Sequence, residues 1–478
     1  MSLTTPPADR AAVTPLRLWF ETLLLPEGWA QGVAVDIAGG HIVRLEPGTA
    51  AEPGRERHAV GLPGLPNLHS HAFQRAMAGL SQVRGPSADS FWTWREVMYA
   101  ALDRMTPEDV EAVAAQAYVE MLEAGFTRVG EFHYLHHDRD GTPYADPAEL
   151  GARIAAAAGA TGIALTLLPV FYAHGGFGGQ PPAPGQRRFV NDLDGFARLM
   201  ASSARALAPL PDAVLGLAPH SLRAATLEEI AALLAMTAGP VHVHVAEQTR
   251  EVEDCLAFSG RRPVEYLLDG APVDARWCLI HATHMSEAET ARLALSGAVA
   301  GLCPITEADL GDGIFPGAAF AAAGGRYGVG SDSNVRIDAA GELALLEYSQ
   351  RLGNRARNVM ALAPGRSTGR ALFEGALAGG AQALGVAAPA GVGRAGAGRA
   401  VTGLAVGAPA DLVSLDAGRA SLAGRAGDGL LDAWIFATRG GGVDSVWRRG
   451  EKLVAGGVHR DRAAVEARFR ASLARLAG

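Results

Sequence analysis

Three cysteines in 478 residues, Cys255, Cys278 and Cys303, cannot build a disulfide framework and fall at no CxxC spacing. They fit a reduced compartment, each packed in the core. Lysine is almost missing: Lys452 stands alone among 42 basic residues. No uninterrupted apolar run reaches the roughly 18 residues a membrane helix needs. The N-terminal segment has no basic region followed by an apolar stretch, so the expectation is a cytoplasmic protein that enters no membrane. Positive charge is also short, with 42 basic against 50 acidic side chains and a net charge of −8. That excludes a general nucleic-acid binder, which needs basic surface to meet phosphates. No G-x-G-x-x-G follows the first strand pattern, which removes the main support for a doubly wound dinucleotide fold.

What is present is apolar sequence, 49% of the chain, in short runs. Residues 17–60 read as strands bounded by glycine turns. From about 61, eight runs alternate with alanine-rich helical patterns: GLPGLPNL, TRVGEF, IALTLLPVF, AVLGLAP, PVHVHVAE, WCLIHA, AVAGLCP and YGVGSD. Helical stretches such as PEDVEAVAAQAYVEMLEAG and TLEEIAALLAMT close on Gly or Pro. Eight strand–helix units predict an α/β chain with a (β/α)8, TIM-like barrel. Strand patterns return in ADLVSLD, AWIFATR and VDSVWRRGEKLVAGG, followed by a helix over roughly 461–477. The expected organisation is 1–60 as the first part of a small β-sandwich domain, 61–385 as the barrel, and 386–478 as the rest of the β domain plus the terminal helix. The Gly/Ala-rich stretch 386–400 reads as a linker, and the Gly/Pro-rich segment 174–189 as either a mobile cover over the site or a disordered insert.

Polar residues gather at the ends of these strands. Strand one ends in His69-Ser70-His71, whose i, i+2 imidazoles share one face. Strand five carries His242, His244 and Glu247, strand six ends in His281, and strand eight in Asp332. In a barrel these lie on the single rim where catalysis takes place. Any one of them could be a satisfied rim residue; together they form a donor set suited to Zn²⁺, with Fe²⁺ as the alternative. An open coordination position would admit water, whose pKa such an ion lowers toward neutrality. Asp332 could accept its proton, His281 could ligate or hold the water, and Glu247 is placed for a proton shuttle. Strand four ends in Pro219-His220-Ser221-Leu222-Arg223, and Lys452 lies outside the barrel, so a lysine bridge between two metals is excluded and one ion per chain is expected.

The set HxH, HxxE, H and SD resembles the mononuclear deaminase branch of the amidohydrolase superfamily. More narrowly, PGLPNLHSHAFQRAMAGL, FWTWRE, EFHYLHH, PHSLR, HVHVAEQ and GSDSNVRID are similar to the formimidoylglutamate deiminase family of histidine degradation, over about 20–455. The resemblance implies that His69, His71, His244 and Asp332 are metal ligands and that Glu247 and His281 assist catalysis. It implies hydrolysis of N-formimino-L-glutamate to N-formyl-L-glutamate and ammonia. It assigns Gln74, Arg95, Tyr134, His220 and Arg223 to the substrate, and relatives suggest a homodimer.

A small dicarboxylate makes independent sense of the arginines, because two anions entering a pocket want guanidinium forks. Trp92 and Trp94 read as pocket wall or packing rather than a cation cage. His133, His136 and His137 read as a polar loop rather than a second metal cluster. The competing readings are deamination of another amidine or an aminated heterocycle on the same site, and a non-catalytic scaffold on a retired barrel.

Overall fold

Eight short strands pair in parallel and close on themselves because each is apolar on both faces, as a strand buried between a barrel interior and a helix layer must be. The structure, a computed structural model, describes residues 15–84, 91–386 and 403–477. The barrel strands are Leu65–Ser70, Phe126–His133, Ala164–Phe171, a split fourth strand at Val214–Leu215 and Ala218–Pro219, then Val241–Val245, Trp277–His281, Val299–Leu302 and Arg326–Val329. All eight predicted runs are therefore strands. Bridges from Leu217 to Val241 and from Ser221 to His244 join the fourth strand to the fifth, and Ser70 to Asp332 joins the eighth to the first. Helices fill the connections. Those at Pro107–Glu123, Leu227–Leu234 and Glu287–Ser296 start at Thr106, Thr226 and Ser286, each paired with an acidic residue three positions on in a capping box.

The two ends of the chain form one continuous eight-stranded sheet. In order it runs Val458–His459, Glu451–Ala455, Val443–Arg448, Leu412–Leu415, Glu56–Pro63, Leu16–Leu25, Gly28–Ala38 and His41–Glu46. The ends meet where Leu412–Leu415 pairs antiparallel with Glu56–Pro63. Phe20, Leu23, Val35, Ile42, Leu412 and Trp447 give this sheet its own core. A buried ion network ties it to the barrel: Arg448 forks onto Asp411 at 2.8 and 2.9 Å and reaches Asp212 at 2.5 Å, and Asp212 also holds Arg128 at 2.9 Å. Lys452 pairs with Glu56 and sits over Trp447 in this sheet, remote from the rim. The run AWIFATR, expected to be a strand, instead closes the helix Asp428–Phe436, whose Leu430, Leu431, Trp434 and Ile435 are buried at helical spacing. The final helix, Arg462–Ala477, packs on Pro107–Glu123 through the Arg475–Asp109 and Arg462–Glu123 pairs. The stretch 386–400 lies, after residue 386, outside the described residues.

The segment 174–189 is fastened to the body. Phe177 stacks on Phe258 at 6.0 Å, Gln186 donates to the Tyr172 hydroxyl at 2.6 Å, and the buried Arg188 donates to the carbonyls of His137 at 2.9 Å, Met105 at 3.2 Å and Leu102. The segment is packed against the body rather than a disordered insert.

Candidate active site

The strand ends turn sharply into the loops that follow. Ala246, His281, Ala282, Asp332 and Asn334 adopt φ of 53°, 65°, 47°, 45° and 54°. Non-glycine residues in this region store strain, which persists only where the surroundings hold it. At strand eight the holding network is explicit. Asn67 accepts from the Ser331 amide at 3.0 Å and donates to its hydroxyl at 2.7 Å, and Ser331 Oγ donates to Asn334 Oδ1 at 2.6 Å. Asn334 Nδ2 reaches Ser70 Oγ at 3.1 Å, His71 O at 3.1 Å and Asp332 O at 3.0 Å. Gly330 is required here: a Cβ would lie 2.7 Å from His69 O and 2.9 Å from His69 Cβ. Strand eight thus approaches strand one closely enough to set Asp332 beside both histidines.

His69 Nε2 lies 3.2 Å from His71 Nε2, 3.1 Å from His244 Nε2 and 3.4 Å from Asp332 Oδ1, and His71 Nε2 is 3.2 Å from Asp332 Oδ1. Ligands at the usual Zn²⁺ distance of about 2.0–2.1 Å occupy tetrahedron corners about 3.3–3.4 Å apart. The donor set fits in chemistry as well. His71 Nδ1 donates to Phe132 O at 2.8 Å and His244 Nδ1 to His220 O at 3.1 Å, which leaves each Nε2 lone pair facing the shared centre. Burial keeps all three imidazoles neutral, lowering His69 to about 3 and lowering His71 and His244 too. Burial opposes ionisation of Asp332, but His69, His71 and His281 hold its carboxyl below its usual range. Three neutral nitrogens and one carboxylate, packed this closely without a cation, would set lone pair against lone pair. The donor atoms of the four residues are grouped so that they could hold a metal ion.

Above them opens a recess. Its lining includes every predicted site residue except His69, which lies deeper. Glu247 Oε1 and His281 Nε2 face each other at 3.8 Å, and His281 Nε2 lies 3.9 Å from Asp332 Oδ2. Burial, reinforced by Asp332, raises the Glu247 carboxyl to about 7, with His281 and Arg223 pulling the other way. Burial works against a charged His281, but Glu247, Glu307 and Asp332 together outweigh it and raise its pKa well above the ordinary value. Gln74 donates to the Tyr134 hydroxyl at 2.8 Å while its Oε1 is buried without a partner. Arg95 and Arg223 each leave a buried Nε unpaired. His220 lines the wall, its Nδ1 3.2 Å from Ser221 Oγ.

Several residues escaped the sequence reading. Tyr99, Tyr172 and Phe189 complete the walls with Trp94. Trp92 needs correction, because it is a cation partner: the guanidinium carbons of Arg95, Arg250 and Arg223 lie 4.7, 4.8 and 5.8 Å from its ring centre. Glu307 accepts from the Cys303 amide at 2.8 Å and lies 3.2 Å from His281 Nδ1. Glu251 holds the Ala246–Glu247 corner. His242 points away, 2.7 Å from Ala383 O. His136 and His137 are tied to the carbonyls of Val170 and Val190 at 2.8 Å each, so they form no metal cluster. Among the described residues the other close donor group is His281, Cys303 and Glu307, which shares His281 with this site.

The chain belongs to the amidohydrolase family, whose sequence profile matches residues 60–453. A narrower profile, formimidoylglutamate deiminase HutF, N-terminal domain, matches residues 21–59. The formimidoylglutamate deiminase of Pseudomonas aeruginosa is 51% identical over 92% of this chain and 95% of its own length. A crystal structure of an amidohydrolase from Brucella melitensis superposes with a TM-score of 0.91 at 56% identity, covering 97% of this chain and 100% of that one. An adenosine deaminase from Xanthomonas campestris with bound zinc shares the fold, with a TM-score of 0.76 at 22% identity over 96% and 98% of the two chains.

Proposed function

We propose that the chain hydrolyses N-formimino-L-glutamate to N-formyl-L-glutamate and ammonia, a step of histidine degradation. The observation that carries this reading is the pairing, within one recess, of a His3Asp donor set with two arginines whose Nε atoms lack partners. The first half supports hydrolysis at a carbon–nitrogen bond, and the second supports a substrate with two carboxylates. The Pseudomonas relative bears the same activity in its name.

A divalent cation on His69, His71, His244 and Asp332, one per chain and Zn²⁺ by its ligand types, supplies Lewis acidity and brings the pKa of water near neutrality. The rest is the work of side chains. Arg223 and Arg95 take the carboxylates, with Tyr134 and His220 beside them, and set the formimino carbon over the four-donor centre. Gln74 Oε1 accepts from the formimino N–H. Asp332 takes a proton from the attacking water while the charged His281 donates a hydrogen bond to that water's oxygen, and Glu247 passes protons to the departing nitrogen. Water adds across the terminal C=N bond and both of its protons end on that nitrogen, so the C–N bond breaks, a formyl C=O replaces it, and nitrogen leaves as ammonia.

Deamination of an aminated ring on the same centre is the second reading. Tyr99, Tyr172 and Phe189 would give a ring something to stack on, so aromatic walls do not separate the two. The arginines do, since a neutral heterocycle leaves both guanidinium groups unanswered. A cytoplasmic setting accords with the reduced cysteines; among the described residues no helix is long and apolar enough to cross a membrane. Ammonia release from N-formimino-L-glutamate, measured beside cytosine, guanine and adenosine, tests the reading. Turnover of a ring compound and none of the formimino acid overturns it.

A further inference from the structure

Glu247 leaves strand five through a corner that the backbone would not choose. Ala246, the residue before it, holds φ of 53°, a conformation that costs an alanine free energy and needs outside support. Both polar groups of Ala246 are gripped. Its carbonyl accepts from the His284 amide at 3.0 Å, and its amide donates to Glu251 Oε1 at 3.1 Å. Glu251 Oε2 accepts in turn from the Glu247 amide at 3.3 Å. One buried carboxylate therefore spans the two successive amides that aim Glu247 into the recess. It sits on the helix Thr249–Ser259, so the helix following the strand supplies the brace. Beyond Glu247, the Gln248 side chain is clamped by Asp312.

We infer that Glu251 is a positioning residue for the reaction, acting through Glu247: its carboxylate fixes the Ala246–Glu247 corner and thereby places the proton-shuttle carboxyl against His281. This rests on the proposed hydrolytic role of Glu247. Glu251 appears among neither the recess lining nor the four donors, so it contacts neither the substrate nor the metal; its charge also favours that of Arg223, and the Glu247→Gln background separates that influence from the one carried by Glu247. A misplacement of about 1 Å is enough to cost on the order of 100-fold in rate.

The test is a double-mutant cycle in the metal-loaded full chain. Glu251→Gln keeps one acceptor and loses the second; Glu251→Ala loses both. Each is made in the parent and in a Glu247→Gln background. In the parent, kcat should fall roughly 10-fold for Gln and 100-fold for Ala, with KM within about twofold and metal content unchanged. In the Glu247→Gln background the same substitutions should change kcat by less than about twofold. Independently of any substrate, hydrogen exchange at the Ala246 and Glu247 amides should accelerate in Glu251→Gln. An equal loss of kcat in both backgrounds, a loss of metal, or unchanged amide exchange overturns the inference. If Glu251→Ala does not fold, the Gln pair decides by the same criteria. A parent that fails to release ammonia from the formimino acid indicts the functional reading instead, while the amide exchange still judges the brace.

Discussion

His281 Nδ1 lies 3.2 Å from Glu307 Oε1, on the side of the ring opposite Glu247. A carboxylate there makes Nδ1 the donor and fixes which face of the imidazole points at the recess. Glu307 is held in turn by the Cys303 amide at 2.8 Å. Replacing Glu307 with Ala frees the ring and removes a carboxylate that raises the His281 pKa. We expect kcat to fall about 10- to 100-fold with little change in KM. The His281 resonance, followed by NMR, should titrate at lower pH than in the parent. An unshifted titration with normal kcat would remove Glu307 from the mechanism.

The metal centre depends on how near strand eight comes to strand one. Gly330→Ala puts a methyl group 2.7 Å from His69 O, and no flexible side chain is there to yield. Overpacking of this kind costs about 1–3 kcal/mol. The displaced strand carries Asp332, so metal content should drop along with the melting temperature. Asp332→Ala and His69→Ala should lose the metal while the barrel still folds. Elemental analysis beside a thermal melt checks all three, with about one ion per chain in the parent; two stable ions per chain would refute a single-metal site.

The barrel was legible because parallel strands buried on both faces read as unbroken apolar runs, and all eight did. The metal donors were legible because His69 and His71 carry a period-two spacing and the rest stand where runs end. The carboxylates that brace the rim were not. Glu131, Glu251, Glu307 and Glu342 each accept a backbone amide beside a strand end: Ala72, Ala246, Cys303 and Ile305. A glutamate that caps a strained corner looks, in sequence, like one that faces water. Only the tertiary fold decides which amides lack partners. Trp92 failed in part for a related reason, since two of its guanidinium neighbours, Arg223 and Arg250, are remote from it in sequence.

Glu131 gives a pH test of that buried layer. It accepts from the Ala72 amide at 2.7 Å and from the Tyr118 hydroxyl at 3.1 Å, and burial raises its carboxyl from 4.5 to about 8. A raised acid pKa means that the folded state holds the proton more tightly than the unfolded chain. Its contribution is full below the unfolded pKa and is lost as pH rises from 4.5 to about 8, by on the order of 5 kcal/mol. Glu131→Gln removes the ionisation, so its stability should fall less than the parent's between pH 5 and 8. Denaturant unfolding across that range checks it; parallel curves would show that Glu131 does not titrate there.

The dicarboxylate assignment stands or falls on Arg223. Its half-buried guanidinium faces the recess from the end of strand four with Nε unpaired, and Glu251 and Glu247 are among the anionic groups that favour its charge. The substrate carboxylates react with nothing, so their binding serves to hold the formimino carbon in place. Arg223→Met should leave one carboxylate without its fork and cost roughly 3–5 kcal/mol in kcat/KM. Arg223→Lys should recover only part of that, because a lysine cannot make the two-pronged bond. Metal content should not change in either. An analogue lacking the carboxylate that Arg223 holds should be a poor substrate for the parent and lose little more with Arg223→Met. If both substrates lose equally, Arg223 supports the wall rather than the substrate, and the ring-deaminating reading gains the ground that the arginine pair had denied it.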